Sequence, residues 1–208
     1  AQAAALTTTQ AANLTSTQLN LLQTSDVGAL STAAVASLTS TQLNALNSTN
    51  LEALSTAQVA KLTTTQVSNL TSTQLNLMQT TDVAALTTTQ MASLTATQLD
   101  NLDASHLAAL PSVASLTSTQ LNAMASTNLQ ALSTTQAAAL TTTQVSNLTS
   151  TQLNLMQTSD VAALSTAAVA SLTSTQLNAL TSTNLQALST AQAAALTTTQ
   201  AANLTSTQ

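Results

Sequence analysis

Cysteine, tryptophan, tyrosine and phenylalanine are absent from this chain of 208 residues, and glycine and proline occur once each, as Gly28 and Pro111. Without cysteine there is neither a disulfide framework nor a thiolate metal site. A single glycine leaves no phosphate-cradling loop, no nucleophile elbow and none of the Gly- and Asp-rich nonapeptides of a calcium-binding β-roll. Lys61 is the only basic residue, and the formal net charge is -5. Nucleic-acid phosphates and anionic lipid surfaces both demand cations, so neither is an expected partner. No run of about 18 apolar residues exists, so no membrane insertion is expected.

What is present is a repeat. Leu38-Thr-Ser-Thr-Gln-Leu-Asn-Ala45 is one copy of an eight-residue unit that fills the chain. Leucines, with Met78 in one place, stand eight apart from Leu6 to Leu110, the beat skips through the six-residue unit Leu110-Pro-Ser-Val-Ala-Ser115, and it resumes at Leu116. Numbered from its leucine, position 1 is Leu in 21 of the 24 full octads and Met in three, at Met78, Met124 and Met156. Position 6 is apolar, as at Ala11, Val27, Leu43 and Met91. The apolar spacing therefore alternates five and three, which fits neither an uninterrupted strand nor an uninterrupted helix. In one continuous helix the leucine stripe would turn by about 80° per octad and no face could be buried.

The polar positions resolve the conflict. Position 2 is Ser, Thr, Asn or Asp in 20 of 24 octads, and position 5 is Gln in 15 and Asp in three. Ser/Thr-x-x-Gln ahead of an apolar residue is the capping box, in which hydroxyl and amide each satisfy a free backbone N–H at a helix start. Each octad thus predicts a helix of one to two turns from position 3 to about position 8. Helices this short are marginal in water, and threonine is a poor helix former. Their stability has to come from stacking, with positions 1 and 6 forming one core, which is a solenoid. The expected fold is an all-α solenoid of very short capped helices. A β-solenoid with threonine ladders is the rival; abundant Ala and Gln and the 5-3 spacing oppose it.

A longer order lies above the octad. Units recur in blocks over 6–61, 62–139 and 140–195, which together make 190 residues, and residues 191–208 are identical to residues 1–18. We expect one continuous array over 1–208, read as one 190-residue repeat running into the next, with residue 1 falling in mid-octad. No secretory signal pattern is visible.

Few residues invite a chemical reading. His106, the single histidine, stands at position 5, with Asp103 at the cap position of the same octad and Asp100 just before it. Asp26, Asp82 and Asp160 occupy position 5 of equivalent octads, where a carboxylate favours a helix N-terminus. Capping roles are expected for all of these, and no catalytic, cofactor-binding or metal-ligating residue is assigned. The methionines read as core substitutes for leucine. Asn13, Asn69, Asn147 and Asn203, each followed by Leu-Thr, match the glycosylation sequon as a by-product of repetition, and Asn47-Ser-Thr does so too. Pro111, with the two-residue deletion, marks an expected kink or register shift.

The run Leu62-Thr-Thr-Thr-Gln-Val-Ser-Asn-Leu-Thr-Ser-Thr-Gln-Leu75 resembles the L-[TS]-x-x-Q-[VIL]-x-x octad arrays of very large bacterial secreted and cell-surface proteins. That resemblance covers the whole chain. It implies an extracellular or cell-surface structural protein, such as a filament component or adhesin stalk, whose partner is itself. DNA-reading TAL-type repeats share Leu-Thr-x-x-Gln-Val, but their longer period, their glycine-containing reading loop and their lysines are missing. A threonine-rich ice-binding surface is the alternative binding function.

Overall fold

The computed structural model describes residues 2–205, among which every regular element is helical. Among the described residues there are 24 short α-helices and two 3-10 turns, and no strand. The protein is an all-α repeat, and the β-solenoid is not its fold. Each octad contributes one helix that starts at position 3 and ends at position 6, 7 or 8, as in Thr56–Val59, Ser40–Asn44 and Thr64–Asn69. The helix starts where the sequence places its cap. Thr63 is extended, its Oγ1 accepts from the Gln66 amide at 3.1 Å, and Gln66 Oε1 accepts from the Thr63 amide at 2.7 Å. It stops at the next position 1 because the following octad begins with an extended cap: Leu70 has φ -60° and ψ 140°.

The chain divides into two compact units, Ala1–Pro111 and Ser112–Gln208. In each, a helix packs against the helices three octads before and after it. In the first unit Ser40–Asn44 lies between Ser16–Asn20 and Thr64–Asn69. In the second, Thr142–Asn147 lies between Ser118–Asn122 and Thr166–Ala170. One coil of the solenoid is therefore three octads, or 3 × 8 = 24 residues.

Burial follows the coil. Position 1 is buried without exception from Leu30 to Leu180, but only half-buried in Leu6, Leu14 and Leu22 of the first coil and Leu188, Leu196 and Leu204 of the last. Position 6 is buried from Ala11 to Leu177 and opens only at Leu185, Ala193 and Ala201. Position 6 is thus turned toward the coil that follows, while position 1 lies between coils and is covered from both sides, and the five-three apolar rhythm is the signature of these two inward positions.

The six-residue unit fits this scheme through what it keeps. Its deletion removes the first helical turn, and a 3-10 turn over Val113–Ser115 replaces the helix. Val113 and Leu116 remain buried as the positions 6 and 1 that the second unit needs. The short unit also marks the sequence boundary between the two compact units.

Candidate functional site

The conspicuous polar feature of both units is a ladder of buried glutamines. A five- or six-residue helix leaves as many orphan C=O groups at its end as N–H groups at its start, and burial makes orphans costly. The capping box satisfies the start. Glutamine satisfies the end, in the neighbouring coil. Gln66, 2% exposed, donates from Nε2 to the Val35 carbonyl at 3.0 Å and the Leu38 carbonyl at 2.7 Å, 31 and 28 residues back. Gln90 does the same with Val59 and Leu62, and Gln98 with Val67 and Leu70. In the second unit Gln144 reaches Val113 and Leu116, and Gln176 reaches Val145 and Leu148. One side chain thus closes its own helix start with its oxygen and a helix end in the coil beneath with its nitrogen. That dual demand explains glutamine over glutamate, which cannot donate when ionised.

A second ladder runs on the outside. Asn20 donates from Nδ2 to the Ala45 carbonyl at 2.6 Å and accepts from the Asn47 amide at 2.8 Å, both in the next coil. Asn76 binds the Asn101 carbonyl and the Asp103 amide in the same way. Asn122 and Asn154 repeat the pattern in the second unit. These residues occupy position 7, which sequence reasoning treats as variable. The signal was available: each of them directly follows Gln-Leu, in the octads at Leu14, Leu70, Leu116 and Leu148.

The residues that invited a chemical reading fall into this framework. Asp103 caps the helix Ala104–Ala109 by accepting from the His106 amide at 2.9 Å. His106 is buried and substitutes for glutamine: Nδ1 lies 2.8 Å from Asp103 Oδ1, and Nε2 lies 2.9 Å from the Met78 carbonyl, 28 residues back. Both partners are acceptors, so a singly protonated ring satisfies one and a doubly protonated ring both. Partial burial works against ionisation of Asp103, but the His106 amide, ring and charge outweigh it and hold the carboxyl below the usual aspartate value.

The three position-5 aspartates stand in the first turn of their helices, behind caps (Gln23, Gln79, Gln157) that make no side-chain capping bond. Asp82 and Asp160 are buried, each with an Oδ2 that has no partner. Burial pushes both carboxyls up; at Asp160 the Gln157 amide and Ser159 hydroxyl offset this only in part. The donor missing at position 5 is moved to position 2, where Gln79 Nε2 reaches the Glu52 carbonyl at 3.2 Å and Gln157 reaches that of Gln130. Asp26 and Asp82 are 56 residues apart, which is not a whole number of 24-residue coils, and they lie in different columns of the stack. No group of three His, Cys, Asp or Glu that could hold a metal ion occurs among the described residues. The methionines are buried at core positions, and the sequon asparagines Asn13, Asn69, Asn147 and Asn203 are exposed and bond the carbonyl four residues back in their own helices.

The profile of the ALTTAQ repeat matches residues 19–55, 113–150 and 154–190, more than half of the chain. The chain belongs to the ALTTAQ repeat family. Ala53-Leu-Ser-Thr-Ala-Gln58 shows how that hexapeptide maps onto the fold: it is the residue that closes the end of one helix, the core leucine, the cap, and the first turn ending in the ladder glutamine. No curated protein matches the chain. In this chain the octad is thus a unit of coil construction, whose position-5 glutamine joins one coil to the next.

Proposed function

We propose that this ALTTAQ array is a structural protein that forms or spaces an extracellular filament by stacking and self-association of its coils. The observation that carries the reading is the ladder itself: polar side chains that could have served a substrate are instead consumed, octad after octad, in coil-to-coil bonds. Low charge supports it, because little electrostatic repulsion opposes association. The Ser- and Thr-rich, cysteine-free and lysine-poor composition, with the likeness to secreted bacterial octad arrays, favours an extracellular or cell-surface location. Enzymatic, nucleic-acid-binding and membrane-inserted roles form no part of this assignment; no helix among the described residues is long and apolar enough to cross a membrane. The ice-binding alternative is disfavoured by the caps: hydroxyls such as Thr39 Oγ1 and Thr71 Oγ1 are turned into helix starts, away from any flat plane. Electron microscopy of material from the producing cells tests the assignment. Filaments labelled by an antibody to the array are the expected result, and label confined to isolated soluble particles would overturn it.

A further inference from the structure

The glutamine ladder and the outer asparagine ladder both use the amide of the cap residue at position 2. Where only glutamine competes for it, as at Thr63 and Thr141, the amide donates to Gln66 Oε1 at 2.7 Å and to Gln144 Oε1 at 2.8 Å. Where position 5 is the shorter Asn184, the Thr181 amide donates instead to Asn154 Oδ1 of the coil beneath, at 2.8 Å. Asn50 and His106 likewise leave the Asn47 and Asp103 amides to Asn20 and Asn76. Each of these amides has one acceptor in reach, and its bond follows from which residue is there.

Thr71 and Thr149 face both acceptors at once: Gln74 and Asn44 in the first unit, Gln152 and Asn122 in the second. The two places are the same in sequence on both sides of the junction, since residues 62–80 are identical to 140–158 and residues 35–45 to 113–123. The amide is nevertheless directed oppositely. The Thr71 N–H donates to Gln74 Oε1 at 2.9 Å and completes a capping box, with the Thr71 hydroxyl on the same oxygen at 3.0 Å; Asn44 Oδ1 is buried without a partner. The Thr149 N–H donates to Asn122 Oδ1 at 3.2 Å, and here Gln152 Oε1 is the buried oxygen without a partner. The other bonds across the junction agree. Gln74 and Gln152 donate from Nε2 to the Asn44 and Asn122 carbonyls, and Asn44 and Asn122 donate from Nδ2 to the Asn69 and Asn147 carbonyls. One donor serves one of two acceptors, so either arrangement leaves one buried oxygen unpaired, and the same residues hold both arrangements.

We propose that Thr71 and Thr149 are two-state joints of the array, at each of which one backbone N–H passes between the glutamine of its own helix start and the asparagine of the coil beneath. In the first state the bond closes a helix; in the second it ties two coils together. The joint thus moves one hydrogen bond into or out of the coil junction while the core positions stay buried, and the two units display its two states. Both states are populated in each unit, because the sequence of the junction favours neither.

Nuclear magnetic resonance of the full chain tests it. Asn122→Ala leaves glutamine as the one acceptor at Thr149, the situation native to Thr141, and Gln152→Asn leaves asparagine, the situation native to Thr181. Both variants should match the wild type in far-UV circular dichroism, and their Thr149 amide shifts define the two end states. In the wild type the Thr71 and Thr149 amides should show relaxation dispersion, or a shift between those end states where exchange is faster than dispersion resolves. The Thr63, Thr141 and Thr181 amides should show no dispersion. Each variant should abolish the effect at Thr149 and preserve it at Thr71. Wild-type Thr71 and Thr149 amides that each sit at one end state without dispersion would overturn the joint. So would dispersion at Thr149 that persists in both variants. The comparison of Thr71 and Thr149 with Thr63 and Thr141 is made within the wild type and stands whether or not either variant folds.

Discussion

At the scale of the residue, position 5 carries more of the account than any other. Its capping role was legible in sequence because both partners lie three residues away, within reach of local pattern reasoning. Its second role was not. The carbonyls that Gln66 binds lie 28 and 31 residues back, and that distance follows from the coil length, which nothing in one octad states. The capping pattern places glutamine only at its own helix start; the fold also buries it against the preceding coil. The difference has a measurable consequence. Gln66→Leu leaves the Thr63 amide and the Leu38 carbonyl without their partner and the Val35 carbonyl with the Leu38 amide alone, and an unpaired buried group costs about 1–3 kcal/mol. Thr63→Ala removes only a cap, worth about 1 kcal/mol. Thermal melts of the two variants should therefore rank Gln66→Leu well below Thr63→Ala; equal shifts would contradict the ladder.

Asp82 gives the complementary test. Asn50, at position 5 one coil from Gln74, donates to the Leu19 carbonyl 31 residues back at 3.1 Å, as Asn184 does to Leu153. Asp82→Asn should let the new amide reach the Leu51 carbonyl likewise and stabilise the fold at neutral pH by about 1 kcal/mol. The pH dependence follows from the raised carboxyl. A group whose folded pKa lies above its unfolded value of 3.8 contributes stability that is complete below that value and is lost as pH rises through the folded one. Of the helices packed on Thr80–Val83, Thr56–Val59 carries no titratable side chain, and Ala104–Ala109 carries His106 with its cap Asp103. The lowered Asp103 acts in the opposite sense and in a lower window, below 3.8. The difference in melting temperature between Asp82→Asn and wild type should therefore shrink as pH falls toward 4. A difference that grows on acidification would contradict the assignment.

At the scale of the element, the octad was almost wholly readable: its extent, its cap, its stop and its inward positions follow from spacing and elementary helix chemistry. What remained hidden was which helices are neighbours, since contact between octads three apart is a property of the coil. The outer asparagine ladder was missed for the same reason, Asn20 meeting residues 25 and 27 positions ahead. The helix is stable only as part of the stack, so its tolerance to substitution should depend on the direction a position faces. Leu70, 3% exposed at position 1, sits in the core, and Leu70→Asp would bury an unpaired carboxylate at a cost of several kcal/mol. Thr71→Ala, next to it, should cost about 1 kcal/mol. Denaturation followed by circular dichroism should show partial or complete loss of helix for the first and a modest shift for the second; comparable losses would mean the inward face is misassigned.

At the scale of the whole molecule, each coil in either unit is bound to its neighbours by the same core positions and the same amide bonds, so stability should be close to a sum of coil terms and coil-junction terms. The six-residue unit shows what such an array tolerates. It loses a helical turn yet retains Val113 and Leu116, whose carbonyls Gln144 requires. The junction is most directly tested by hydrogen exchange at glutamine side-chain amides, resolved by nuclear magnetic resonance in the intact chain under conditions that keep it monomeric. Gln66 and Gln144 give their Nε2 protons to carbonyls of the preceding coil, whereas Gln130 and Gln186, at position 7, are exposed. The account predicts slow exchange at Gln66 and Gln144 and fast exchange at Gln130 and Gln186. Equally fast exchange at the two pairs would contradict it.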